Sequence, residues 1–157
     1  TGLSIVLQHQ GFFPNFSVSN NLRLGGYLLE SASLVDERMA RILEFFPQLA
    51  ERRDSAARLL SGGEQKMLSM GIALMLEPRV LLVDEPSAGL APSLTTQVLD
   101  QLQTLRDNWN TTILLVEQNV NAGIRIADRV LVVRLGTISQ TYDASTLRSG
   151  KETLQLL

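Results

Sequence analysis

Cysteine is absent from the 157 residues, which excludes a disulfide framework and suits a reducing, cytoplasmic setting. Also missing is any block of like charge. Fourteen basic residues stand against 16 acidic ones, a net charge of −2, so no basic patch points to nucleic acid. No apolar run exceeds five residues, far below the roughly 20 a membrane span needs. There is no repeat, linker or low-complexity segment, and no initial Met. The chain opens on Thr1-Gly2-Leu3, already entering an apolar run, which reads as a truncated beginning rather than a signal peptide.

What is present is an ordinary globular composition, 45% apolar and 19% charged, of one domain's length. Four short runs rich in β-branched residues stand out: Leu3–Leu7, Val80–Val83, Thr112–Val116 and Val130–Val133. Separated by helical patterns, they read as strands of a parallel sheet buried on both faces. Leu34, Met39, Ile42, Leu43, Phe46 and Leu49 mark one face of a helix, with Asp36, Glu37, Arg38, Arg41 and Glu44 largely on the other. A second helix is expected from about Gly63 to Leu76, closed by Glu77-Pro78. A third runs from Pro92 through Leu105, and a short fourth from Asn119 to Ala127. The order of elements is α/β.

Two segments carry chemistry. Leu60-Ser61-Gly62-Gly63-Glu64-Gln65 has the form of a capping box, in which Ser61 accepts from the Glu64 amide and the Glu64 side chain reaches back. Its two glycines leave first-turn amides open to an anion at the positive end of the helix, although a plain helix start has the same pattern. In Val80-Leu81-Leu82-Val83-Asp84-Glu85-Pro86, four apolar residues end in two carboxylates at the edge of a strand, where ligands of open α/β sheets bind. Asp84 suits Mg²⁺, and Glu85 suits orienting or deprotonating a water that attacks a γ-phosphate. Acidic pairs also occur at solvent-facing turns. It is the succession of the two segments, about 20 residues apart, that favours the chemical reading.

The sequence resembles ABC transporter ATP-binding subunits over nearly its whole length. Signature residues Ser61, Gly62, Gly63, Glu64 and Gln65, the Walker-B run to Glu85, and Ser87-Ala88-Gly89-Leu90-Ala91 at the D-loop stand where that family has them. Gln8 occupies the position of the Q-loop glutamine, which contacts Mg²⁺ and senses the transmembrane partner. Gly11-Phe12-Phe13-Pro14, the stretch Phe45 to Arg53, and Val116-Glu117-Gln118-Asn119 resemble the ATP-binding subunits of branched-chain amino acid importers. The resemblance implies a P-loop NTPase-like parallel-sheet core, formed by about residues 1–11 and 79–157, with a helical signature subdomain at about 12–78 inserted in it. It also implies ATP and Mg²⁺ as ligands and a second ATP-binding subunit, homologous or identical, as partner. Transmembrane permease subunits would be partners too, and a periplasmic substrate-binding protein indirectly. The location implied is cytoplasmic, peripheral on the inner face of the cell membrane.

Three departures from the family pattern matter. Gln118 stands at the switch histidine; its amide can donate a hydrogen bond but cannot exchange a proton near neutral pH. Ala91 replaces the usual D-loop aspartate, as Gln118 and Ala91 both do in some branched-chain importers. And no G-x-x-x-x-G-K-[ST] phosphate loop occurs: the nearest triplet, Gly150-Lys151-Glu152, lacks the hydroxyl residue and has Ser145 where the first glycine belongs. By resemblance that loop, and its strand between Thr112–Val116 and Val130–Val133, would precede Thr1.

Smaller features have plainer readings. His9 is the only histidine and reads as a solvated loop residue. Phe13 and Phe16 read as core, whereas Phe12 reads as part of a groove for a coupling helix of the membrane subunit; Tyr27 belongs to one or the other. Met67, Met70 and Met75 are packing residues, and Arg52-Arg53 a solvated helix end. Two other functions stay open: an interaction module without its own ATPase activity, and a soluble ABC ATPase of translation or DNA repair. The missing strand would leave unpaired buried backbone groups at about 1–3 kcal/mol each. Expressed by themselves, the 157 residues are therefore expected to be poorly stable, with a broad thermal transition by circular dichroism; a sharp cooperative melt with native-like strand content is the contrary result.

Overall fold

The computed structural model describes residues 2–8 and 11–148; His9 and Gly150-Lys151-Glu152 lie outside the described residues. The chain divides into two units, Thr1–Val116 and Glu117–Leu157.

In the first unit, β1 (Leu3–Val6), β2 (Val80–Asp84) and β3 (Thr112–Val116) form a parallel sheet with β2 in the centre. Its register is regular, with Val6 opposite Val83 and Val83 opposite Leu115. Because side chains alternate along a strand, each row of the register shares a face. Val6, Leu81 and Val83 point to the buried face, at 2% exposure or less. On the other face Leu3, Ile5, Leu114 and Val116 are each 51–58% exposed. The expectation of burial on both faces thus holds for one face of these strands only. The helices that pack on this sheet, α4 (Gly62–Leu74) against β1 and α5 (Pro92–Trp109) against β3, leave the second apolar face uncovered among the described residues.

Among the described residues, four α-helices and a short 3-10 turn at Ala57–Leu59 run between β1 and β2. Ser17 caps α1 (Val18–Gly25), and Ser31 caps α2 (Ala32–Phe45) through its hydroxyl. Pro47 then starts α3 (Pro47–Glu51) at a position where its missing N–H costs nothing. Of the predicted inward face, Met39, Ile42, Phe46 and Leu49 are buried and Leu34 and Leu43 half-buried, and Ile42 and Leu49 meet Leu22 of α1 around Gly71 of α4. Each buried side chain among them contributes about 1.5–3 kcal/mol by leaving water. The expected polar face is exposed at Asp36, Glu37, Arg41 and Glu44, while Arg38 and Arg41 both pair with Glu77 beyond the end of α4.

Helix α1 escapes the periodicity because a polar residue fills one of its inward positions. Asn21 is 1% exposed, accepts from the Phe13 amide (2.7 Å) and donates to the carbonyls of Phe13, Phe16 and Ser17. This network turns the chain at residues 13–16 so that Phe13 and Phe16 stack on each other at 5.5 Å, at 58% and 45% exposure. Their reading as core is therefore corrected: Asn21, with Val18 and Leu22, occupies the inner side of this turn. Met67, Met70 and Met75 are buried packing residues, and Arg52 and Arg53 are exposed.

The second unit contains α6 (Val120–Ile126), β4 (Arg129–Arg134), β5 (Thr137–Asp143) and α7 (Ala144–Arg148). Strand β4 was expected in the parallel sheet, but it pairs antiparallel with β5. The cause is the two-residue turn Leu135-Gly136, both at positive φ (50° and 78°), the combination of a type I′ hairpin, which can only join antiparallel neighbours. Asp143 accepts from the hydroxyl and then the amide of Ser145, which hold its carboxyl below the ordinary value.

Helices α1 and α4 approach closely enough that a Cβ on Gly25 would lie 2.7 Å from the Ile72 carbonyl oxygen. Gly25→Ala must push backbone apart and is expected to cost about 1–3 kcal/mol. Urea unfolding should show a lower midpoint, and an unchanged midpoint would mean the helices can separate freely.

Candidate functional site

Strand β2 ends in Asp84, and the chain leaves the sheet at Glu85. Glu85 has φ +43° and precedes Pro86, a conformation that costs a non-glycine residue about 1–3 kcal/mol. Its amide donates to the Val116 carbonyl (2.9 Å), which holds the turn against β3. Two residues beyond β1 stands Gln8. Val6 is the register partner of Val83, so Gln8 arrives beside Glu85, and its Nε2 donates to Glu85 Oε2 at 2.5 Å. Parallel pairing thus joins an amide and a carboxylate 77 positions apart.

Helix α4 begins at the glycine pair. Both halves of the capping box are present: the Glu64 amide donates to Ser61 Oγ (3.3 Å), and the Ser61 amide donates to Glu64 Oε2 (2.7 Å). The two glycines differ in surroundings. Gly62 is exposed, whereas Gly63 is buried with room for a Cβ only 3.2 Å from Leu94 Cδ2. A Cβ on Gly62 would lie nearly as close to a side chain, 3.3 Å from Leu90 Cδ2, so the two glycines differ in exposure and hardly in side-chain room. Gln65 donates to the Leu60 carbonyl (3.1 Å), tying the turn before the helix to its second turn.

The segment after Glu85 turns back through hydrogen bonds from Ala88 to the Glu85 carbonyl and from Leu90 to that of Ser87, with Gly89 at φ +75°. Ala91 is the N-cap of α5 and supplies no side-chain acceptor, so Pro92 at the first helical position sets the start instead. Gln8, Phe12, Gly62, Lys66, Ala88 and Leu90 are among the residues around one cavity of about 470 Å³. Three stretches singled out in the sequence therefore meet in the first unit: Gln8, the start of α4, and 87–91. Gln118 falls in the second unit, exposed, one residue before Asn119, whose side chain caps α6.

The family model described as ABC transporter matches residues 1–88. The chain belongs to the ABC transporter family. It is 40% identical over 136 residues to the high-affinity branched-chain amino acid transport ATP-binding protein BraG of Pseudomonas aeruginosa, covering 87% of this chain and 58% of that one. To the probable branched-chain amino acid transport ATP-binding protein LivF of Archaeoglobus fulgidus it is 35% identical over 146 residues, covering 93% and 61%. The chain thus spans about three-fifths of the length of these relatives. A third relative, the sn-glycerol-3-phosphate import ATP-binding protein UgpC of Yersinia enterocolitica, is 32% identical over 98% of the chain and 42% of its own length. Among solved structures, cbiO1 from Clostridium perfringens, part of the ABC transporter complex cbiONQ, superposes with a TM-score of 0.86 at 22% identity, over 98% of this chain and 62% of that one. At that identity the likeness speaks for the fold, an ABC ATPase α/β core.

Within this ABC core, the residues suited to Mg²⁺ are Asp84, at the end of β2, and the side-chain oxygen of Gln8, two residues beyond β1, both hard oxygen donors. Among the described residues no three His, Cys, Asp or Glu side chains converge on one point. Such a donor set fits an ion held by one or two protein groups together with phosphate oxygens and water. Sequence reading missed Lys66, whose Nζ donates to the Gln8 carbonyl and which lines the same cavity. A lysine in the second turn of a helix looks like a solvated charge, and no spacing rule links it to a residue 58 positions earlier. Phe12, placed in a groove by the sequence, is half-buried and lines the cavity.

The capping box can be tested by itself. Ser61→Ala is expected to cost about 1 kcal/mol of stability and Ser61→Gly only a few tenths, because glycine is tolerated at this position. Thermal unfolding of both variants checks the order; equal losses would mean that the hydroxyl bond to Glu64 contributes nothing.

Proposed function

We propose that these residues are the signature-to-Walker-B part of an ATP-hydrolysing importer subunit whose cargo is a branched-chain amino acid. The observation that carries the reading is the Gln8–Glu85 contact beside Asp84, at the sheet edge where nucleotide phosphates bind in such folds. Support for the cargo comes from the identities of 40% and 35% to two branched-chain transport subunits, against 32% to a glycerol-phosphate one.

The mechanism assigns each group a task. Asp84 and the Gln8 oxygen would hold Mg²⁺, which would supply positive charge to offset that of the phosphate oxygens. Glu85 accepts the proton of a water whose oxygen forms the new bond to the γ-phosphorus, while the bond to the β,γ-bridging oxygen breaks and ADP leaves. Gln118, at the switch position by family resemblance, has an amide that can donate to a phosphate oxygen and exchanges no proton. No residue of the 157 forms a phosphate loop, so that cradle must come from other residues. Ser61, Gly62, Gly63, Glu64 and Gln65 close over ATP held by the opposite subunit, through the open amide end of α4. Ser87, Ala88, Gly89, Leu90 and Ala91 line that dimer contact.

Function then requires a second ATP-binding subunit, the same or a paralogue, and permease subunits that carry the cargo, with a periplasmic binding protein acting indirectly. The stacked and exposed Phe13 and Phe16 offer the permease an aromatic surface. The place of action is the cytoplasmic face of the membrane. No helix among the described residues is long and apolar enough to cross it. A second reading, an interaction module that hydrolyses nothing, draws on the missing phosphate loop alone.

Glu85→Gln in the full-length protein decides between them. Turnover should fall by about 10²–10⁴-fold while ATP stays bound, read by release of inorganic phosphate and retention of labelled nucleotide. Undiminished hydrolysis would remove Glu85 from this role, and failure to retain ATP would favour the interaction module.

A further inference from the structure

The proposed mechanism needs the Glu85 carboxylate free to take a proton from water, yet in this structure Oε2 accepts from the Gln8 amide at 2.5 Å. Gln8 is itself held at a second point, since its carbonyl accepts from Lys66 Nζ. Lys66 lies on α4, one residue past the signature, and α4 belongs to the helical stretch between β1 and β2. A chain of two hydrogen bonds therefore runs from the signature helix through the main chain and side chain of one glutamine to the carboxylate. The ammonium strengthens the first bond and the carboxylate the second, because hydrogen bonds to charged groups exceed neutral ones.

We propose that Lys66 is a positioning residue that keeps Gln8 against Glu85, so the carboxylate is withheld from water until α4 shifts and the clasp opens. The proposal rests on the reading of Glu85 as the proton acceptor. It gives the signature helix a second task. Besides presenting Ser61 to Gln65 to nucleotide, it would report its position to the hydrolytic carboxylate of its own subunit, and so restrain hydrolysis when the helix has not moved. The positive φ of Glu85 and its amide bond to Val116 keep the carboxylate on the side that Gln8 reaches.

The test compares Lys66→Met, Lys66→Ala and Lys66→Arg in the assembled transporter, by phosphate release at saturating ATP without transport substrate. Methionine and alanine both keep a helix while removing the donor, so whichever variant folds reports on the clasp. Basal kcat is expected to rise about 10- to 100-fold in Lys66→Met and Lys66→Ala, the range that corresponds to losing one hydrogen bond to a charged group. KM for ATP should stay unchanged, and Lys66→Arg, which keeps the donor, should stay close to the parent rate. A merely structural lysine would lower the rate or leave it alone, and either result with Met and Ala overturns the proposal. The same variants combined with Glu85→Gln separate the two levels. If Glu85→Gln alone still turns over, the reading of Glu85 fails; if it is silent while Lys66→Met is not faster, only the clasp fails.

Discussion

The central position of β2 in a parallel, in-register sheet is the constraint on which the site depends. β1 and β2 pair row by row, and the pairing carries past their last ladder residues to set Gln8 beside Glu85. β2 and β3 pair likewise to Asp84 and Val116, and the Val116 carbonyl then receives the Glu85 amide and holds a turn that would otherwise relax. A slip of one residue would send Leu81 and Val83, which are fully buried, to the exposed face. The hydrophobic effect on the sheet's inner face therefore fixes the distance between two polar side chains at its edge.

Closing β1 on β2 also encloses the whole helical stretch. Its ends can meet only if that stretch is compact, because bringing distant residues together costs loop entropy that local packing must offset. The core of α1, α2, α3 and α4 supplies that compactness, and α4 returns it to the site. Its first turn holds the capping box, its second holds Lys66, and its buried methionines lock its rotation about its own axis. The helix that packs the subdomain is thus also the one that reaches the glutamine beside the carboxylate.

Much of this was legible before any coordinates. Apolar periodicity located α2, the Glu77-Pro78 stop and Pro92 start bounded α4 and α5, and β-branched runs located four strands. Where the pattern failed, a specific residue took over. Asn21 buried a polar side chain by satisfying both ends of its amide, which hid α1 and sent Phe13 and Phe16 to the surface. Leu135-Gly136 turned β4 into a hairpin, and β5, nearly all exposed, shows little of the apolar alternation that marks a half-buried strand. The exposed outer face of β1 and β3 has strand composition without strand burial, because composition does not say what lies on the other side.

By itself the sequence determined the family, the α/β class and the residue types that chemistry needs: a carboxylate pair after a strand, a glutamine after another, and a capped glycine turn before a helix. These are local patterns, each written within a few consecutive residues. Only the tertiary structure decided that Gln8 touches Glu85, that Lys66 holds Gln8, and that Gly63 packs against Leu94. Those facts join residues 31 to 77 positions apart, between Gly63 and Leu94 at the least and Gln8 and Glu85 at the most. They follow from sheet register and helix rotation, which the collective burial of many apolar side chains sets and no single segment contains.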